Sequence, residues 1–326
     1  MKMNNKIRQA VKYFGGKEES CMKLASGFQN EVYEYAYEGE RRILRITPSS
    51  RRTIKQIQSE MDFIRSLDAD GVNVSLPVAS CFRNDIEQVD VGGESFFITS
   101  FLKASGQFVN VANEQEWNEK LFQNWGQTIG KMHAIAKKND SDYKKYERPI
   151  WKPDVKAMNF LLSISKPLVI SYEKMITEIQ ALSNESGTYG LIHNDFHQGN
   201  FFVQDNTLTI FDFDDCSFCW FAQDIAVSFY HAVWQGLSVR PEHVSFPQEF
   251  MKYFLEGYSK EHCMNKEILK QIPLFLKLRE VFLFTLFHEV WDFDKLEKWQ
   301  AYTLKDLRYR IEQGVPYTDV DFLSFV

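Results

Sequence analysis

Residues 191–213 read L-I-H-N-D-F-H-Q-G-N-F-F-V-Q-D-N-T-L-T-I-F-D-F and concentrate the groups able to do chemistry. Two short apolar stretches, 201–203 and 208–211, flank Gln204-Asp205-Asn206-Thr207. Apolar runs around such turn residues predict a β-hairpin. Antiparallel pairing folded near Asn206 brings Asn200 and Asp212 to one open end, their backbones within roughly 5 Å. Asp195 lies on the loop feeding the hairpin, and His193 precedes it by two residues. An amide oxygen and a carboxylate beside a second carboxylate suit Mg²⁺, a hard cation that prefers oxygen and keeps room for waters and phosphates.

The spacing His193-x-Asp195, then Asn200, then Ile210-Phe211-Asp212-Phe213 is that of a protein-kinase catalytic loop and metal-binding Asp. It departs from that pattern in two places. His197 stands where many protein kinases have Lys, and Asp214 replaces the Gly of D-F-G. With Asp224-Ile225-Ala226 following, the segment resembles the aminoglycoside phosphotransferase and choline kinase superfamily, whose pattern is close to H-G-D-x-H-x-x-N, I-D-F and D-L-A.

The resemblance implies that Asp195 is the base or the hydroxyl-orienting group. Asn200 and Asp212 would hold Mg²⁺–ATP, and His193 would brace the loop. His197 would donate near the transferring phosphate in the right tautomer or when protonated. Asp224 is expected to anchor the loop backbone rather than touch substrate. Asp214 and Asp215 are possible extra ligands, but neighbours on a strand end point opposite ways, so at most one would face the metal.

Upstream, residues 4–13 read as a short amphipathic helix, and 21–24, 31–37 and 42–47 as strands. Gly27 sits at the tip of loop 25–30, where backbone N–H groups can lie over phosphates. Arg45 falls where kinase-like folds carry the basic residue for the α- and β-phosphates, and its fork can grip them bidentately. Residues 51–66 are expected to be helical, with Ile54, Ile57, Met61 and Ile64 on one face. Glu60, on a neighbouring face, is the candidate partner for Arg45. Strands are expected over 74–83 and 94–102, followed by a hinge at 103–106. The resemblance gives the adenine to backbone groups of Ser100 and Leu102.

Further on, a helix is expected over 115–138, with Gly126 and Gly130 marking close helix packing and His133 structural. After a break at 149–154 come helices over 169–183, 222–235, 247–260, 266–291 and 295–313. Arg279, Glu280, Phe284, Phe287, His288 and Trp291, with acidic residues after them, would suit a pocket for a cationic acceptor, although a packed core helix explains them more simply.

The fold expected is α+β, bilobed and protein-kinase-like. Residues 1–102 form a small β-rich lobe with one main helix. Residues 103–326 form a larger, mostly helical lobe carrying the catalytic loop, the metal-binding hairpin and the acceptor-binding helices. At 326 residues, 44% hydrophobic and 25% charged, the chain has the composition of a folded globule rather than a disordered one. Its net charge of −6 and lack of a basic stripe argue against nucleic acid. The apolar stretch 272–291 is interrupted by Lys277, Arg279, Glu280, His288 and Glu289, which excludes a membrane span. No apolar leader opens the chain, and Cys216-x-x-Cys219 has no second pair for zinc. A reduced cytoplasm is expected.

The function expected is an ATP- or GTP-dependent, Mg²⁺-requiring phosphotransferase. Its acceptor would be a hydroxyl of a small molecule: an aminoglycoside, amino-alcohol, homoserine-like compound or sugar. The alternatives are a bacterial Ser/Thr protein kinase of the same superfamily and a non-catalytic, kinase-like nucleotide-binding protein. No D-F-G and A-P-E activation segment follows Asp212, which weighs against the first. A scaffold has no need to keep Asp195, Asn200 and Asp212 together, which weighs against the second.

Overall fold

Alternation along strand Glu40–Pro48 sends Leu44 and Ile46 to one face of a sheet and Arg45 to the other. In the computed structural model, which describes residues 5–24, 30–184 and 187–325, this strand is central to an antiparallel sheet. The sheet runs Met22–Lys23, Glu31–Tyr37, Glu40–Pro48, Glu94–Leu102 and Pro77–Val78, and Glu87–Val91 also pairs with Glu94–Leu102. Leu44, Ile46, Phe96 and Ile98 pack with Tyr33 and Tyr35 against Ala10, Val11 and Phe14 at helix Asn5–Tyr13.

Helix Ile54–Ala69 buries Ile57, Met61, Phe63, Ile64 and Leu67. It starts later than the pattern suggests. Thr53 caps it, accepting from Gln56 N–H at 3.1 Å while the Gln56 side chain accepts from Thr53 N–H. Ile54 is therefore a first-turn residue, 48% exposed at the helix end. The strand expected over 74–83 shrinks to Pro77–Val78, because the preceding residues pair with the hairpin instead. Val74 bridges Ile210, and Ser75 N–H donates to the Ile210 carbonyl at 2.8 Å. Strand Glu87–Val91 was not anticipated; its E-Q-V-D-V sequence has little apolar signal.

The hairpin itself pairs Phe201–Gln204 with Thr207–Ile210. Asp205 and Asn206 turn it with φ of 50° and 63°, the double left-handed conformation that matches strand twist. Gly106, at φ 94°, crosses it so closely that a Cβ would lie 2.4 Å from the Val203 carbonyl oxygen. By packing, the hairpin belongs with the sheet. One compact unit comprises Met1–Phe108, Ser141–Pro149 and Asn200–Cys216, and the other Val109–Asp140, Ile150–Gly199 and Ser217–Val326.

The second unit is mostly helical: Glu119–Lys138, Val155–Ile164, Lys166–Gln180, Phe221–Val239, Phe246–Tyr258, Lys266–Val290 and Lys298–Gln313. A two-stranded ribbon, Tyr189–Ile192 with Ser217–Trp220, completes it. Asn118 caps the first helix at Leu121 N–H, which starts it after the expected residue 115. Val155–Ile164, capped by Asp154, is an unanticipated helix that follows the break at 149–154. Gly126 and Gly130 do mark close packing: a Cβ on Gly126 would sit 1.8 Å from the Phe254 carbonyl oxygen, and one on Gly130 2.5 Å from that of Tyr258. Among the described residues no helix is long and apolar enough to cross a membrane.

Candidate active site

In the sheet unit, Arg45 and Glu60 meet fork to fork, Nη1 to Oε1 at 2.7 Å and Nη2 to Oε2 at 2.8 Å. Both are buried. Burial opposes the Arg45 charge, but Glu60, Asp214 and Asp212 outweigh it and raise its pKa. Arg148 reinforces the same region from residues 141–149. It donates to the carbonyls of Cys216 and Gln56 at 2.9 Å each and to that of Asp214, and approaches Glu60 at 4.0 Å.

Asn200 and Asp212 leave the same end of the hairpin, offset by one residue. Phe201 pairs with Ile210, and Phe211 N–H donates to the Asn200 carbonyl at 3.0 Å, so Asp212 lies one step past the pair. Asp212 is left-handed at φ 64°, a conformation that costs a non-glycine residue about 1–3 kcal/mol and is held by its surroundings.

After it, residues 213–215 form a 3₁₀ turn rather than a strand end, which corrects the expectation that Asp214 and Asp215 diverge. Both carboxylates face Arg51 and Arg52. Asp214 takes Arg51, Arg52 Nε at 3.3 Å and the Asn30 amide at 3.0 Å. Asp215 takes Arg51 at 3.1 Å and Arg52 at 2.8 Å. Burial would raise the Asp214 carboxyl, but Arg45, Arg51 and Arg52 pull it far below its ordinary value. Both acids are arginine partners in this structure.

Gly27 lies outside the described residues. The Ser100 hydroxyl is buried against Tyr35 Oη at 2.8 Å. Leu102 donates its N–H to Leu76 at 2.8 Å, and its carbonyl accepts from Ser75 Oγ. The Leu102 N–H is thus taken, while its carbonyl keeps a second lone pair.

In the helical unit, the catalytic-loop residues hang from Asp224, in the first turn of helix Phe221–Val239. Its carboxylate accepts from His193 N–H at 3.0 Å and Asn194 N–H at 2.6 Å, and lies 3.3 Å from His133 Nε2. His133 Nδ1 meets Tyr258 Oη at 2.9 Å, and burial lowers the His133 pKa. His193 is fully buried, and its Nδ1 accepts from Asp195 N–H at 3.3 Å. Phe196 is also buried, and its carbonyl accepts from Ser228 at 2.7 Å.

Asp195, its side chain 31% exposed, is approached on both oxygens. Arg279 Nη2 donates to Oδ1 at 2.8 Å, and His197 Nε2 lies 3.5 Å from Oδ2. His197 Nδ1 accepts from Gly199 N–H at 3.0 Å, which assigns the ring proton to Nε2, facing Asp195. Burial would raise the Asp195 carboxyl, but Arg279, then the hydrogen bond from His197, hold it well below the usual range.

Arg279 and His231 are the groups that sequence reading missed in this setting. Arg279 was grouped with a possible acceptor pocket, but the stretch divides. Glu280 is buried and pairs with Arg310 at 2.7 Å, while Phe284 and Phe287 fill the core. His231 carries one local signal, standing seven residues after Asp224 on the same helix face.

An antiparallel sheet with an ion-paired helix, and a helical region presenting an Asp-centred loop, define a kinase-like protein. The chain belongs to the phosphotransferase enzyme family, which it matches over residues 20–259, and its chemistry is that of a small-molecule kinase. It is 31% identical to amicoumacin kinase of Bacillus subtilis (strain 168) over 323 residues, 98% of this chain and 95% of the relative. The solved structure of the amicoumacin kinase hAmiN in complex with AMP-PNP, Ca2+ and Ami is 32% identical. It covers 98% of this chain and 96% of its own, with a TM-score of 0.89. A microcompartment-associated aminopropanol kinase shares the fold at 17% identity and a TM-score of 0.69, covering 94% of each chain.

Proposed function

We propose that this kinase transfers the γ-phosphate of ATP, with Mg²⁺, to a hydroxyl of an amicoumacin-like antibiotic, in the cytoplasm. The observation that carries the reaction is the Asp195 carboxylate, held ionised by Arg279 and His197 on a loop anchored by Asp224. The acceptor class rests on the 31% identity to an amicoumacin kinase across nearly the whole chain.

Asn200 and Asp212 would hold the cation. One amide oxygen and one carboxylate make a small, hard donor set, and among the described residues no cluster of three His, Cys, Asp or Glu could hold a metal. That suits Mg²⁺ carried by nucleotide phosphates, where the protein supplies only one or two ligands. The bound ion supplies charge neutralisation on the phosphates.

Arg45, aimed by Glu60, grips the α- and β-phosphates. The adenine is held by backbone groups of Ser100 and Leu102, where the Leu102 carbonyl keeps a second lone pair. In functional terms residues 1–102 serve the nucleotide, and 103–326 supply the loop, the cation ligands and the acceptor surfaces. Asp195 orients the acceptor hydroxyl. A bond forms from its oxygen to the γ-phosphorus, and the bond from that phosphorus to the β–γ bridging oxygen breaks. Because the carboxylate is weakly basic, it takes the hydroxyl proton late, as the new bond forms. His193 fixes the loop, and His197 donates beside Asp195.

The test is ADP release with Mg²⁺–ATP across amicoumacin-like antibiotics, aminoglycosides, amino-alcohols, homoserine, sugars and a generic protein, alongside Asp195→Ala. Turnover with the amicoumacin-like compound, abolished by the substitution, is expected. Turnover confined to another class would replace the acceptor, and phosphate transfer to protein would overturn the reading.

A further inference from the structure

His231 touches both groups that reach Asp195, and it does so with different parts of one ring. Its Nε2 lies 3.0 Å from Arg279 Nε and 2.6 Å from Nη2, in hydrogen-bond contact. Its face stacks on the His197 ring, with centroids 4.5 Å apart and planes 20° from parallel. A guanidinium has donors only, so His231 Nε2 must present its lone pair and carry its proton on Nδ1. Burial, Arg279 and His197 all disfavour a charged His231. Arg279 is 5% exposed, on helix Lys266–Val290, and its guanidinium lies 4.8 Å from the Phe282 ring centroid. The catalytic loop is also tied to the helix of His231: the Gln198 side chain donates to the His231 carbonyl at 3.5 Å.

We propose that Arg279 is a positioning residue for phosphoryl transfer and that His231 is the neutral strut that aims it, together with His197, at Asp195. The inference rests on Asp195 being the hydroxyl-orienting group. A carboxylate that must point a lone pair at a hydroxyl gains from having its plane fixed, since small misplacements of reacting groups cost large factors in rate. Arg279 fixes Oδ1 while its Nε and Nη2 both meet the same imidazole nitrogen. Lys offers one ammonium and cannot reproduce that fork. His231 in turn limits where the His197 ring can lie, so one buried residue behind Asp195 sets both donors.

Four variants test this: Arg279→Gln, Arg279→Lys, His231→Gln and His231→Phe, each with kcat, both KM values and a thermal unfolding curve. Arg279→Gln is expected to lower kcat about ten- to a hundredfold, the span of one charge-assisted hydrogen bond, at little changed nucleotide KM. Arg279→Lys should recover only part of it. His231→Gln keeps an acceptor for Arg279 and should stay within about threefold of the parent. His231→Phe keeps the stacking surface without the acceptor and should lose about tenfold in kcat.

Equal kcat in the two His231 variants would refute the strut. A raised acceptor KM at unchanged kcat in Arg279→Gln would make Arg279 an acceptor anchor and overturn the proposal. Loss of folding in the Arg279 variants leaves the two His231 variants to decide. Asp195→Asn separates the two readings. If it retains turnover, the role of Asp195 falls; if it is inactive while Arg279→Gln keeps parental kcat, only the present inference falls.

Discussion

Replacing Glu60 with Leu would strand one of the most buried cations in the protein. Glu60 is fully buried, and Arg45, 4% exposed, makes two hydrogen bonds to it, at 2.7 and 2.8 Å. Removing one partner of such a pair costs about 3–5 kcal/mol, because the remaining charge keeps its desolvation penalty. Arg148 adds less, since three backbone carbonyls already accept from it. At about 2–4 °C per kcal/mol, the loss corresponds to a fall in melting temperature of about 6–20 °C.

The double variant Arg45→Met with Glu60→Leu removes both charges and should regain more than half of that loss. It should still bind nucleotide poorly, with nucleotide KM raised about tenfold or more, because the proposed phosphate donor is gone. Urea and thermal unfolding of the single and double variants, read beside nucleotide KM, make the assay. A single-variant loss below about 1 kcal/mol, the scale of a solvent-exposed pair, would refute the reasoning. So would a double variant no more stable than the single.

Asp224→Ala leaves two backbone N–H groups and His133 without their acceptor. At about 1–3 kcal/mol per buried unsatisfied group, it should destabilise by more than about 3 kcal/mol and lower kcat far more than nucleotide affinity, read by denaturation and steady-state kinetics. Gly126→Ala drives a methyl into the Phe254 carbonyl and should cost about 1–3 kcal/mol or more in urea unfolding, with kcat unchanged where the protein stays folded. Asp214, depressed in the folded state by its arginines despite burial, binds fewer protons folded than unfolded. Its contribution to stability is therefore fully present above the unfolded carboxyl value of about 4 and is lost as pH falls further toward the folded value. Unfolding midpoints from pH 7 to pH 3 should drop for the parent protein and drop less for Asp214→Asn.

Local chemistry left the clearest marks in the chain. The hairpin was readable because Asp205-Asn206 accepts left-handed backbone between two apolar runs. Strands Glu31–Tyr37 and Glu94–Leu102 were legible end to end, their aromatic and β-branched residues favouring extended backbone. Helix starts were legible only through caps: Thr53 and Asn118 delayed two helices beyond where apolar spacing put them. Strand Glu87–Val91 and helix Val155–Ile164 escaped, the first too polar to signal burial and the second too close to a proline-containing break. The pairing of Asp214 and Asp215 with the same arginines was hidden because a 3₁₀ turn, unlike a strand, does not alternate its side chains.

By itself the sequence determined the reaction-bearing loop, its hairpin and the superfamily they resemble, because those features are written in spacings of a few residues and stabilised by neighbouring backbone. Tertiary structure alone decided what surrounds Asp195. Arg279 reaches it across 84 residues, and His231 meets Arg279 across 48. Contacts at such separations leave no periodic trace; they exist because packed helices bring a buried guanidinium to the acceptors it must have. The same reason places residues 141–149 and 200–216 with the sheet they follow by a long stretch of chain: Arg148 needs carbonyl partners, and the hairpin edge needs Asn73 and Ser75 to complete its hydrogen bonds.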